Sequence, residues 1–155
     1  MAAPGSPSID LSEVLVMQAT PLSDWLIIAP VALCICAGAV LMMVRHAMRL
    51  HSLIAIAALA ILVVIDAALL WKVMTNGPFT MVMGRWLAPF GIAFTADLTG
   101  AVLALTGAIA ALACAVHARG DIDHASTRYG FYPFLMLLMA GVSGAFLTGD
   151  IFNLY

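Results

Sequence analysis

Four stretches of the chain are almost free of charge over a membrane-crossing length: Trp25 to Val44, Ser52 to Trp71, Leu98 to Val116 and Phe131 to Thr148. A helix rises about 1.5 Å per residue, so about 20 apolar residues span the hydrocarbon of a bilayer. Inside lipid, each backbone polar group must be satisfied within the protein, and a helix does this within a single segment. The rest of the chain agrees. Hydrophobic residues make up 65% of its 155 residues and charged ones 9%, against about a quarter charged in a soluble domain. The expected class is therefore an all-α integral membrane protein with four transmembrane helices, and membrane lipid is its first partner. The formal charge of −2 and the lack of any Lys/Arg run leave no footprint for nucleic acid.

The basic residues set the orientation. Arg45, Arg49, Arg119 and Arg128 lie in or beside the first and third connections, and Lys72 and Arg85 lie in or beside the second. With the first and third connections in the cytoplasm, four basic residues are inside and two outside, so both termini are expected to face out. Trp25, Trp71 and Trp86 then mark the outer interface, with Tyr129 and Tyr132 at the inner one. Residues 1–24 read as an outer tail, without Lys or Arg and without the apolar core of a signal peptide. Met17 is an alternative start. Residues 25–155 read as the membrane domain, with a fifth span beginning at 151–155.

The second connection differs from the others. Asn76-Gly77-Pro78 stops a helix. Phe79 to Met83 and Ile92 to Thr95 read as extended runs around a turn-rich segment, which gives a short outer β-hairpin between the second and third spans. Asp97 is placed to cap the third helix through its side-chain oxygen.

Helices in lipid associate through close backbone approach and a few hydrogen bonds. Gly100, Ala104, Gly107, Ala111 and Ala115 recur at helical spacing in the third span, and Gly141, Gly144, Ala145 and Thr148 share a face of the fourth. These two helices are expected to pack against each other or against another protein helix.

Asp66 is the one ionisable group well inside a predicted span. A mid-helix acid costs about 2.5–3.5 kcal/mol to insert, and large apolar residues each return about 0.3–0.6 kcal/mol, so the helix still inserts. A membrane acid is an ion-path candidate. The plainer reading, favoured by the nearness of Trp71, is that Asp66 reaches outer water or Lys72. Asp97 and Asp150 stand at outer boundaries beside helix starts, where an acid complements the helix dipole, so structural roles are expected. His46, His51, His117 and His124 lie in or beside cytoplasmic loops without the spacing of a metal site, and read as solvated or headgroup-facing. Cys34, Cys36 and Cys114 read as small apolar packing residues, the first two pointing to opposite sides of one helix. No catalytic residue, metal site, cofactor site or cofactor is expected.

Two stretches carry more than composition does. "GRWLAPFGIAFTADLTGAVLAL" and "FYPFLMLLMAGVSGAFLTGDIFNLY" resemble the D subunit of multisubunit, Mrp-type Na+/H+ antiporters, the second through its "GAFLTGDIFNLY" run. The resemblance spans about Pro21 to Tyr155 and is weakest over the first two helices. It implies the N-terminal part of a larger antiporter-like bundle in the bacterial inner membrane, working with other antiporter subunits. Such a secondary transporter exchanges Na+ for H+ on the proton gradient, without ATP or an organic cofactor, and is not an enzyme. The family's key glutamate, on its fifth helix, would follow the stretch matching Asn153 to Tyr155, so the chain alone is expected to be inactive. Asp66 matches no motif of the family. Two alternatives remain: a proton-pumping antiporter-like subunit of a complex I-type NADH:quinone oxidoreductase, and a four-helix membrane scaffold without transport.

Overall fold

A computed structural model describes residues 21–44, 48–83, 92–121 and 130–149. Its described elements are four α-helices and a two-stranded antiparallel sheet. A 3-10 turn, Leu22–Ile27, leads into α1, Ala29–Met43. The sequence alone suggests one continuous helix from Trp25. Pro30 explains the difference: it has no N–H to give to a carbonyl one turn back, so it sits in the first turn of α1, where that N–H has no helical partner.

The long helix α2, Met48–Asn76, stops at Gly77, whose φ of 84° is left-handed. The Gly77 N–H donates to the Val73 carbonyl at 3.0 Å, and Pro78 prevents any continuation. The chain then turns into β1, Phe79–Met83, which pairs with β2, Ile92–Ala96, from Phe79↔Ala96 to Met83↔Ile92. Both expected extended runs are therefore present, the second longer by one residue. Helix α3, Leu98–Asp121, follows directly, and α4, Phe131–Phe146, begins after Gly130, whose φ is 104°.

The four helices form a closed ring in which α1 meets α2, α2 meets α3, α3 meets α4 and α4 returns to α1. Neighbouring helices in the ring run in opposite directions. Along α1 and α4, Gly38 lies against Leu137 while Val31 lies against Gly144; along α3 and α4, Gly100 lies against Phe146 while Gly107 lies against Met139. The α3 seam is built from Ala101, Ala104, Ala108, Ala111, Ala115 and Ala118, all buried, which allows close backbone approach.

The outside of the bundle is apolar. Val64, Trp71, Met74, Leu53 and Leu138 are all more than half exposed. Water would penalise such a surface, and lipid does not. Two helices, over Leu50–Asn76 and Leu98–Asp121, are long and apolar enough to cross a membrane; Ala29–Met43 and Phe131–Phe146 are apolar but shorter.

The interior divides into two apolar clusters. The larger contains Cys34, Leu59, Leu62, Ala108, Met136 and Ala140. The smaller, under the sheet, contains Ile27, Leu69, Met81, Ala96, Ala101 and Leu147. Tyr132 belongs to the larger cluster at 2% exposure, edge-on to Phe131. It is a core side chain and not the interface marker that its position near a loop suggests, because the inward face of α4 starts with it.

Candidate functional site

The sheet end of the bundle gathers the two motif-bearing stretches. After α4 the chain straightens and runs alongside β2. Thr95 N–H donates to the Leu147 carbonyl at 2.9 Å, Gly149 N–H donates to the Ala93 carbonyl at 2.9 Å, and Phe94 and Thr148 form a bridge. The "LTG" of the second motif thus extends the sheet begun by the "IAFTA" of the first. The approach is close: a side chain at Gly149 would meet the Thr95 hydroxyl, and one at Gly100 would meet the Phe146 carbonyl. Across the other edge of β2, the hydroxyls of Thr80 and Thr95 lie 3.0 Å apart.

Asp97 stands at the base of this junction. Its Oδ1 accepts the Gly100 N–H at 2.7 Å, satisfying one of the free donors of the first turn of α3. Thr95, Asp97, Thr99, Thr148 and Gly149 line an open pocket between the sheet extension and α3. Asp150 lies outside the described residues, as do His46, His124, Trp86, Arg85, Arg128 and Tyr129.

On the opposite flank, Lys72 is fully engaged. Its Nζ donates to Asp24 Oδ1 at 2.8 Å and to the Ser23 carbonyl at 2.6 Å, and it sits 4.0 Å from the centre of the Phe79 ring. This arrangement fastens the 3-10 turn to α2 and β1.

It also overturns the plainer reading of Asp66. Six residues along a helix is 240° of rotation beyond a full turn, so Asp66 points away from Lys72. It is 0% exposed, and neither carboxyl oxygen has a hydrogen-bond partner among the described residues. It reaches neither water nor Lys72, and it lies within electrostatic reach of Cys34 on α1.

His51 is corrected as well. It falls in the first turns of α2, 2% exposed, with both ring nitrogens unpartnered among the described residues. His117 is exposed. Cys34 is buried while Cys36 and Cys114 are exposed, as their helical positions dictate. No group of three or more His, Cys, Asp or Glu among the described residues could hold a metal.

The small residues divide between seams. Gly100 and Ala104 are buried on α3, and Gly107 faces Met139 and Val142 of α4, each at 3.7 Å from a built Cβ. Gly144 meets Val31 of α1, and Thr148 joins the sheet. Gly141 is exposed with nothing near it, so it contributes no packing among the described residues. Sequence reasoning missed Ser143, which is 1% exposed with a hydroxyl unpartnered among the described residues. Its signal was present: it lies three and four residues beyond Ala140 and Met139 on the inward face of α4.

No protein-family model matches the chain. Two curated relatives, each named as the D subunit of a Na(+)/H(+) antiporter, are 35% identical over 130 residues in Alkalihalophilus pseudofirmus and 36% identical over 129 in Bacillus subtilis. A putative antiporter subunit mnhD2 of Staphylococcus aureus is 31% identical over 130 residues. The chain spans about a quarter of the length of these relatives: 26% of each, against 83–84% of itself. The solved Mrp complex from Dietzia sp. DQ12-45-1b contains a chain that matches with a TM-score of 0.76 and 26% identity, over 86% of this chain and 24% of that one. The packed apolar helices, the sheet that joins the two motifs and these matches together make the chain a partial homologue of the Na+/H+ antiporter D subunits, with an antiporter-like membrane fold.

Proposed function

We propose that this chain forms part of a cation/proton antiporter subunit in a multisubunit secondary transporter of the bacterial inner membrane. The observation that carries this reading is the joining of the two motif stretches. "IAFTAD" and "LTG", about fifty residues apart in the chain, are hydrogen-bonded to each other through Thr95 and Gly149. The relatives named as antiporter subunits support the same reading.

All four helices cross the membrane in this proposal. Fifteen residues of α1 rise about 22 Å, and the six residues of the 3-10 turn add about 12 Å at about 2 Å each. Sixteen residues of α4 rise about 24 Å, and Leu147–Gly149 adds about 10 Å of extended chain. Each sum exceeds the hydrocarbon thickness of about 30 Å. The sheet end faces outward, with Trp25 and Trp71 exposed there. Residues 1–24 form an outer tail and residues 25–155 the membrane domain, with Asp150 leading into a further helix.

In this reading the bundle is a support. It holds the sheet junction and the surrounding helices, and Na+ and H+ move through the assembled transporter. Expressed in a host that lacks its own antiporters, the chain alone is expected not to restore growth in high Na+. Produced with the remaining antiporter subunits, it is expected to co-purify with them in mild detergent. Recovery of Na+ tolerance by the chain alone, or failure to associate with any antiporter subunit, would overturn the proposal.

A further inference from the structure

The two apolar clusters of the interior do not meet. On α2 the larger cluster reaches Leu62 and the smaller resumes at Leu69; on α4 the larger reaches Ala140, and the smaller takes in Leu147 just past the helix end. On α3 they reach Ala108 and Ala101, and on α1 and the 3-10 turn Cys34 and Ile27. A single layer of Pro30, Asp66, Ala104 and Ser143 lies between them, one buried residue from each helix. Two of the four are polar, and no atom among the described residues satisfies either one.

Chance does not readily leave such a layer in place. A buried polar atom without a partner costs about 1–3 kcal/mol, and an ionised carboxylate costs more. The other two members of the layer supply no side-chain partner, since Ala104 brings only a methyl group and Pro30 brings no N–H. Small polar species admitted to the layer would supply the partners that Asp66 and Ser143 lack among the described residues. A buried water makes two to four hydrogen bonds to such groups, and two carboxyl oxygens and one hydroxyl supply about that number.

We propose that this layer is a proton- and water-binding site, in which the Asp66 carboxyl takes up and releases the proton and the Ser143 hydroxyl is its hydrogen-bonded companion through water. The step balances simply: one O–H bond forms on a carboxylate oxygen as a proton arrives from water, and the same bond breaks as it leaves. From α1 the only titratable group facing Asp66 is Cys34. On α3, Cys114, His117, Arg119 and Asp121 are exposed and lie at the far end. On α4, Tyr132 sits eleven residues before Ser143, about 16 Å along the axis. On α2 itself, Lys72 is held by Asp24, and His51 is fifteen residues away, about 22 Å. No fixed cation among the described residues competes for the carboxyl. The site does not require that this chain exchange ions, so its test is separate from that of antiport.

The test is infrared difference spectroscopy of the full chain in lipid bilayers, recorded between acidic and alkaline pH. The expected result is a carboxylic acid C=O band whose amplitude follows pH. The chain has eight Asp and Glu residues, so D66N should remove one component of this band, and S143A should leave that component's amplitude but shift its frequency, because the hydrogen bond to the carboxyl changes. A purely structural Ser143 would not move that band. Parent and D66N difference spectra that superimpose would overturn the proposal. If D66N fails to fold, as judged by circular dichroism, S143A decides: a displaced band supports the site, and an unmoved one rejects it.

Discussion

Asp97 caps α3 and also limits what position 100 can carry. Its Oδ1 holds the Gly100 N–H, and a Cβ built on Gly100 comes within 2.7 Å of that same oxygen, with the Phe146 carbonyl closer still. Asp97→Ala should cost about 1 kcal/mol, the usual worth of an N-cap, measured as a lowered unfolding midpoint in detergent. Gly100→Ala should cost more, about 1–3 kcal/mol, because the atom in its way is backbone and cannot rotate aside. If Gly100→Ala were as stable as the parent, the close approach of α3 to the end of α4 would be wrong. Lys72→Met should cost at most about 1 kcal/mol despite its three contacts, since the ion pair with Asp24 is partly exposed. Cap chemistry at Asp97 was legible in the sequence because it depends only on near neighbours in the chain. The burial of Asp66 was not, because its distance from Lys72 along the chain suggested contact while the helical rotation between them forbids it.

At the scale of elements, the sheet joins parts that are distant in the chain. The antiparallel pairing of β1 with β2 could be anticipated from turn residues flanked by extended runs. The third partner, Leu147–Gly149, could not, since a run of three residues after a helix has no periodicity of its own. Its pairing makes a direct prediction. Residues facing across an antiparallel bridge lie about 4.5–5.5 Å apart at Cα, within the range for a disulfide. Phe94→Cys with Thr148→Cys should therefore cross-link on mild oxidation, read as a mobility shift under non-reducing conditions. Thr80→Cys with Thr148→Cys should not, because β2 lies between the two positions. The parent chain, with Cys34, Cys36 and Cys114 in place, provides the blank. The close packing of α3 was legible in its small residues. The outward face of Gly141 was not, because a stripe of small residues does not say which way it faces.

Across the described helices, an apolar exterior faces outward and alanine is buried, which suits the lipid and neighbouring protein of the proposed function. The proposed orientation places Asn76 outside and Gly120 inside; both are exposed at helix ends. A membrane-impermeant maleimide applied to intact cells should label Asn76→Cys and spare Gly120→Cys until the cells are opened. The reverse pattern would invert the topology. Charge-poor runs made the bundle legible at this scale, because about 20 apolar residues have few other uses. The division of its interior by a polar layer was not legible. That division emerges only when four helices bring Pro30, Asp66, Ala104 and Ser143 to one level.

The hydrogen bonds from Thr95 and Gly149 also impose an order of events. Pairing between segments so far apart in the chain forms late, after the intervening loop has been closed. Here that loop contains two helices, α3 and α4, which in the proposed topology are first threaded through the bilayer. On that topology the sheet cannot be completed while the polypeptide is only half inserted, and Leu147–Gly149 works as a clasp that shuts only once biogenesis of the bundle is finished.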